Sequence, residues 1–487
     1  MQPLEYIADV KFSMAYFLPE ITLFLLFVSL VLFGIVFRKQ AHFIVPLVFL
    51  IGMGFTTYYL WIQYRLGIEI NLFSGALLFC KRSIYLKVLF TVCGIFTLIF
   101  RQLSNYKEKP TEFYGLVTAI IFGSGLMVMA SNFLVAFLAL EIISLSSYIL
   151  VALPNHKRNA EASLKYLLYG MFSSAIMLYG VSLLFGFTGT TNFMSVDFYN
   201  KLANIDPLPV TIALIMVMTG ILFKITAFPF HFWAADVYES TPISTLVFFT
   251  TCSKIAGFGF LLNFMPVIWQ FNFKSYVEWF NPECLIGFCA AATIGVGNLM
   301  AISQKNVKRM LAYSAIAHTG FILLPLTSFE KQTDESVLYY LAVYLFISFA
   351  SFFIVEKAVK LTEDEQFESF KGLGFSHPLV GILVIISMVG LAGLPPTTGF
   401  FAKFYIFSSV WDSYTLEQEQ LFLYLFLFGL INTVIGLFYY LKLPYFMFLK
   451  QNDVVNTKRL SFLEYLFAIA LSLSLLLLFA KPEWLKF

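Results

Sequence analysis

Long apolar runs, each closed by a charged or Pro/Gly-rich joint, recur along the whole chain, and the joints divide it into fourteen predicted membrane spans. The hydrocarbon core of a bilayer is about 30 Å thick, so a helix needs about 20 predominantly apolar residues to cross it. The runs reach that length near 16–37, 42–63, 84–101, 113–131, 132–153, 163–187 and 209–228, and again near 242–264, 283–302, 309–327, 335–356, 378–410, 419–442 and 461–480. The run at 209–228 continues, broken, through His231 and Trp233, and the run at 378–410 is interrupted at Leu394-Pro395-Pro396. The pattern predicts an all-α polytopic membrane protein with about fourteen transmembrane helices.

The two interruptions occupy matching places. Five runs lie between 113 and 264 and five between 283 and 442, and in each group the fourth is broken, at Phe228-Pro229-Phe230 and at Gly393-Leu394-Pro395-Pro396. Lipid offers no hydrogen bonds to backbone N–H and C=O groups, so broken helix at membrane depth survives only where protein or a water-filled cavity satisfies them. Broken helices at corresponding positions of two repeats point to a central ion or substrate site. Five is odd, so inverted repeats are expected, with an N-terminal three-helix segment at 1–112, repeats at 113–264 and 265–442, and a C-terminal helix within 443–487.

Composition narrows the class. Hydrophobic residues make up 60% and charged residues only 12%, against about 25% charged in soluble domains, and the mean hydropathy is +0.83. The longest hydrophilic connections, around 188–208, 265–282 and 357–377, are too short for a nucleotide, cluster or nucleic-acid domain. Cysteines 80, 93, 252, 284 and 289 include no CxxC pair, so neither metal nor cluster ligation is expected. The first run lacks a small-residue cleavage site and reads as a retained span. Lys and Arg concentrate on alternate joints, seventeen on one side and ten on the other, which by the positive-inside rule puts both termini outside. Of the 31 basic residues, Lys165, Lys224, Lys254 and Lys403 remain, and these fall inside spans.

Charges at membrane depth are functional candidates because their burial is expensive. Glu141 lies nine residues into its span, about 14 Å deep at 1.5 Å per residue. Alone, a carboxylate there would take up a proton; a facing cation, for which Lys224 is the natural partner, keeps it poised for exchange. A static ion pair between packed helices is the alternative. Lys254 is also near mid-depth, too far from either interface to snorkel, and an amine desolvated in this way can release its proton. Lys403 follows Pro396 by seven residues, two helical turns, beneath the second break. His231 stands in the first break and His318 is mid-span, and imidazole passes protons through its two nitrogens; a core histidine bonded to a neighbouring helix would look the same. Lys165, close to its helix start, is either a snorkelling lysine or an intermediate. Asp236 and Glu239 are expected to support the chain after the break, Glu20 to be interfacial, and Asn298 and Asn432 to be helix-packing groups.

The strings LALEIISLSSYILVALPN, LFKITAFPFHFWAADVYESTP, KRMLAYSAIAHTGF and GLPPTTGFFAKFY, spread from 138 to 405, resemble the antiporter-like N subunits of respiratory complex I, NADH-quinone oxidoreductase. By motif position the resemblance implies Glu141 and Lys224 as a charged pair, Lys254 as the central lysine and Lys403 as the lysine of the second broken helix. The chain departs from the family's usual PD at Ala234-Ala235-Asp236 and from SPTPV at Ser240-Thr241-Pro242-Ile243-Ser244. The related L subunit is longer, and the M subunit carries an acidic residue where this chain has Lys403.

The resemblance implies a proton-translocating, non-redox subunit of the membrane arm, with FMN, iron-sulfur clusters and quinone held by other subunits, M-type and small K-type subunits as neighbours, and no nucleic acid. It implies the bacterial inner membrane with both termini periplasmic, or alternatively a mitochondrial or plastid inner membrane. In the expected cycle, a charge change from a neighbouring subunit alters the Glu141 and Lys224 pair, then Lys254, and a proton moves by His318 or water toward Lys403. The rival readings are a subunit of an Mrp-type cation/proton antiporter, a stand-alone permease and a purely structural scaffold.

Overall fold

In the computed structural model, residues 3–104, 109–269, 282–328, 331–450 and 459–485 are described. In chain order the helices are α1 (Pro3–Tyr16), α2 (Leu18–Val36), α3 (Ala41–Leu66), α4 (Lys81–Leu103), α5 (Pro110–Met129), α6 (Phe133–Ala152), α7 (Lys157–Thr188), α8 (Val196–Leu202), α9 (Pro207–Ile225), α10 (Ala234–Ser240), α11 (Ile243–Trp269), α12 (Pro282–Ile302), α13 (Val307–Leu323), α14 (Lys331–Thr362), α15 (Leu373–Ser376), α16 (Pro378–Ala392), α17 (Gly399–Glu417), α18 (Gln420–Leu449) and α19 (Phe462–Ala480). Among the described residues, thirteen helical segments are long and apolar enough to cross a membrane. The fourteenth expected run is present as the pair α16 and α17, each too short or too polar to qualify alone. Helices α7 and α14 overrun their apolar runs by several residues, because hydrogen-bonded helix continues into the charged joints.

Both breaks are real. Helix α9 stops at Ile225, the chain turns through 226–233, and Thr226 takes φ +63°. Helix α16 stops at Ala392 with Gly393 at φ +79°, and α17 begins at Gly399. The Phe228-Pro229 and Pro395-Pro396 peptides are cis.

The chain forms two compact units. The first comprises Met1–Ile225 and Phe248–Asn281 and the second Thr226–Val247 and Pro282–Phe487. In the first, α5 is the hub, packed against α2, α4 and α6, while α7 pairs with α9. Helices α2 and α3 leave most of their apolar surface exposed, as lipid-facing helices do. A hairpin absent from the sequence expectation, β1 (Ile70–Leu72) and β2 (Leu77–Phe79), pairs Ile70 with Phe79. Its turn is tied down by Ser13, whose hydroxyl accepts from Phe73 N–H at 2.8 Å, and by Asp9, which accepts from Ser74 N–H at 2.8 Å. Leu72, Leu77 and Phe79 seal it onto Leu60, Ile84 and Met129.

In the second unit the nearly fully buried α13 and α14 form the centre. Helix α12 lies along α13, helices α16, α17 and α19 pack on α14, and α18 closes against α12, α16 and α17. Helix starts follow capping chemistry: Asn306 accepts from Arg309 N–H at 3.0 Å, and Ser461 and Glu464 form a reciprocal capping box at α19.

The charge distribution differs from expectation. Glu20, in the first turn of α2, is 1% exposed and pairs at 2.6 Å with Lys87, a residue assigned from sequence to a joint. Lys357 is equally buried and pairs with Glu464 at 3.1 Å, which Lys360 also reaches at 2.8 Å. Arg101 is buried with its guanidinium 3.6 Å from the centre of the Phe113 ring. Burying a charge is expensive; the ion pairs offset part of that cost and join helices far apart in sequence. Glu239 supports the chain after the first break, as expected, by pairing with Arg309 at 2.9 Å.

Candidate proton-transfer site

Each unit holds a buried ionisable cluster beside the end of a broken helix. In the first unit, Lys224 lies in the last turn of α9, where unsatisfied carbonyls favour a cation. Its ammonium is buried, donates to Ser144 Oγ at 3.2 Å and lies 5.9 Å from the centre of the Tyr166 ring. Ser144 is one turn along α6 from Glu141, so the two share a face. Glu141 and Cys252 are the ionisable groups that act electrostatically on Lys224. Glu141 is not in ion-pair contact with Lys224, and its Oε1 is buried with no hydrogen-bond partner among the described residues. Lys224 is thus held by Ser144 and not by a salt bridge to Glu141.

The same pocket is walled by Tyr148 and Tyr166, whose rings meet edge to face at 4.5 Å. Gly170 makes room for this: a Cβ there would fall within bonding distance of the Tyr148 hydroxyl. Cys252 on α11 lies 3.4 Å from Ser124 Oγ. Two residues further on, Lys254 is buried in a helix with no exposed residue across its membrane window.

In the second unit, Lys403 projects from the first turns of α17 back to the end of α16, donating to Ala392 C=O at 2.8 Å. Half-helix C-termini satisfy cations in this way. The ammonium is also 4.9 Å from the centre of the Phe321 ring. Gly393 is required here twice over: its φ is left-handed, and a Cβ would lie 2.6 Å from Lys403 Cδ. A small cavity of about 10 Å³ is lined by Lys403, His318, Tyr340, Tyr344, Gly390 and Gly399 among others. His318 is gripped at both nitrogens, Nδ1 by the Tyr340 hydroxyl at 2.6 Å and Nε2 by the Tyr440 hydroxyl at 3.1 Å.

The remaining candidates lie apart from these clusters. His231 sits within the first break, stacked on Phe228 and against Phe232, with Nδ1 buried and unpartnered among the described residues. The break is anchored by Phe228 N–H donating to Thr293 Oγ1 at 2.9 Å. Lys165 is 44% exposed on α7 and pairs with Glu161 at 3.1 Å across one helical turn, the geometry of a surface pair. Asn298 and Asn432 bond to each other across α12 and α18. Glu283, Glu417 and Glu419 bring carboxylate oxygens within 4.8 Å of one another near the α17–α18 turn, an acidic grouping common at surfaces.

Sequence reasoning missed the hydroxyl partners Ser144, Tyr148, Tyr166, Tyr340 and Tyr440. A signal existed for some: Ser144 and Tyr148 follow Glu141 at helical spacing, and Tyr340 and Tyr344 are one turn apart on α14.

Comparisons with known proteins agree with this architecture. A family described as "NADH:quinone oxidoreductase/Mrp antiporter, TM" matches residues 130–436. NADH-quinone oxidoreductase subunit N of Chlorobium chlorochromatii is 34% identical over 455 residues, covering 91% of this chain and 87% of that protein. A chain of respiratory complex I from Thermus thermophilus superposes with a TM-score of 0.77 at 25% identity, covering 96% of this chain and 97% of that one. A chain of the Mrp complex from a Dietzia species shares the fold, with a TM-score of 0.81 at 17% identity over 97% and 95% of the two chains.

Proposed function

The chain belongs to the subunit N family of NADH-quinone oxidoreductase, and from that membership we propose that its two buried clusters carry the proton-translocating step of a complex I membrane arm. Electrons pass from NADH to quinone through FMN and iron-sulfur clusters in other subunits; this chain is the non-redox proton carrier. The observation that carries the proposal is Lys403, held by the Ala392 carbonyl beside a cavity it shares with His318. An amine there has a fixed acceptor when charged and, beside it, a cavity on the scale of a single water.

Glu141 and Lys224 form the charge-sensing pair. Lys224 bonds Ser144 and makes no direct bridge to Glu141, so a charge arriving nearby shifts the proton balance without first breaking an ion pair. Lys254 and His318 are intermediate carriers, and Lys403 is the terminal one. His231, within the break, serves as an auxiliary exchanger, and Lys165 as a peripheral charge. M-type and small K-type membrane-arm subunits are the neighbours, and the exposed apolar faces of α2 and α3 suit them or lipid. The membrane is the bacterial inner membrane, with both termini periplasmic, by the distribution of Lys and Arg. An Mrp-type antiporter subunit has the same fold, but sequence identity favours the oxidoreductase family.

The test is NADH-driven proton uptake by inverted vesicles carrying the assembled complex. Lys254→Ala and Glu141→Gln are expected to leave the complex assembled and to lower the proton-to-electron ratio. Full pumping at the unchanged ratio in both variants would overturn the proposal.

A further inference from the structure

The hydrogen bonds around His318 do not end at His318. The Tyr440 hydroxyl that bonds Nε2 also lies 2.5 Å from Ser314 Oγ. Its sequence neighbour Tyr439 packs against it at a tilt, with ring centroids 4.3 Å apart. Tyr439 in turn donates to Asn298 Oδ1 at 2.9 Å, and Asn298 is fixed by donating to Asn432 C=O at 2.9 Å. All of these side chains are buried.

The chain of bonds has a direction. His318 is eleven residues into α13, about 16 Å from its start, whereas Asn298 is four residues from the end of α12, about 6 Å. The short segment joining those two helix ends is largely exposed and carries Lys305. Gln304 C=O in that segment accepts from Lys442 Nζ at 2.6 Å, one turn beyond Tyr439. The bonded groups therefore climb from the Lys403 cavity toward the basic face of the membrane span and stop about one helical turn short of it.

Resting on the reading that His318 and Lys403 carry protons, we propose that Tyr440, Tyr439 and Ser314, positioned by Asn298, form the inlet branch that feeds His318 from the face bearing Lys305 and Lys442. A hydroxyl both donates and accepts. When Ser314 donates to Tyr440, Tyr440 donates to Nε2 and Nδ1–H donates to Tyr340; when the polarity reverses, Tyr340 donates to Nδ1, Nε2–H donates to Tyr440 and Tyr440 donates to Ser314. A proton arriving at the Tyr440 oxygen displaces that group's own proton onto Nε2, and Nδ1 releases its proton toward Tyr340 and the cavity. One proton enters, one leaves, and His318 is left in the other tautomer until it is reset. Asn298 does not carry the proton; it holds the Tyr439 hydroxyl, and water from the exposed joint covers the last turn. A packing network would need only the shapes of these rings, not their hydroxyls.

The branch is tested in the assembled complex with Tyr440→Phe, which keeps the ring and removes the oxygen. The expected result is a lowered proton-to-electron ratio and an increased solvent deuterium isotope effect on proton uptake, with assembly retained and both measures restored toward normal by Tyr440→His, which returns a donor and acceptor. If Tyr440→Phe assembles poorly, Tyr439→Phe is read by the same two measures. An unchanged ratio and isotope effect in both Phe variants, with Lys403→Ala abolishing this subunit's share of pumping, overturns the branch and leaves the proposed function standing. Unchanged pumping in Lys403→Ala as well overturns the proposed function on which the branch rests.

Discussion

At the scale of single residues, the two broken helices work by presenting carbonyl ends to lysines. Lys224 occupies the last turn of α9 and Lys403 bonds the last residue of α16, so a dry ammonium is met by peptide dipoles that need no reorganisation. Gly393 is the residue on which the second arrangement depends. Gly393→Ala forces a Cβ into a left-handed conformation, which costs about 1–2 kcal/mol, and pushes it onto the Lys403 stem. The expected outcome is a lower thermal midpoint together with a reduced proton-to-electron ratio. Gly393→Asn, which tolerates that φ better, recovers stability more than pumping. Equal recovery of both would mean that the backbone, and not Lys403, is what the glycine protects. Glu141, Lys224, Lys254 and Lys403 were legible as candidates because a charge inside an apolar run stands out. Tyr340 and Tyr440 were not, since tyrosine is ordinary in a membrane helix until its hydroxyl finds a partner.

Among the elements, α19 is tied to the second unit at both ends. Near its start Glu464 meets Lys357 and Lys360 of α14, and near its end Leu475 C=O accepts from Thr398 N–H at 3.0 Å, just after the break. The helix thereby braces the interruption between α16 and α17. Glu464→Ala removes the nearer carboxylate from the buried Lys357, which keeps Glu356 at 3.7 Å, and breaking a buried pair from one side costs up to about 3–5 kcal/mol. The thermal midpoint of the detergent-solubilised protein is expected to fall sharply, and the double variant Lys357→Met with Glu464→Leu to recover most of the loss. If the double variant is as unstable as the single one, the pair matters for something other than charge burial. Element existence was readable from run length, and the breaks from proline and glycine. The hairpin at 70–79 was not, because its strands are three residues long and gain their stability from Leu60, Ile84 and Met129.

Over the whole molecule, ion pairs occur both inside and at the surface. Glu20–Lys87 and Lys357–Glu464 are inside, while Glu161–Lys165 is on the surface. Raising ionic strength from about 0.1 M to about 1 M shortens the Debye length from about 10 to 3 Å and screens only the exposed pair. The thermal midpoint is therefore expected to change little over that range; a large fall would place the stabilising charges at the surface. Sequence alone determined the class, the number of crossings, the matched interruptions and the set of ionisable residues at depth, because each is a property of the chain read along one dimension: length of an apolar run, position of a proline, a charge out of place. Tertiary structure alone decided that Glu20 and Lys87 neutralise each other, that Lys224 finds Ser144, and that His318 is held by two tyrosines. Those facts depend on which helices become neighbours, and helices packed in a membrane are matched by close fit and polar contact, which no run of hydrophobic residues encodes.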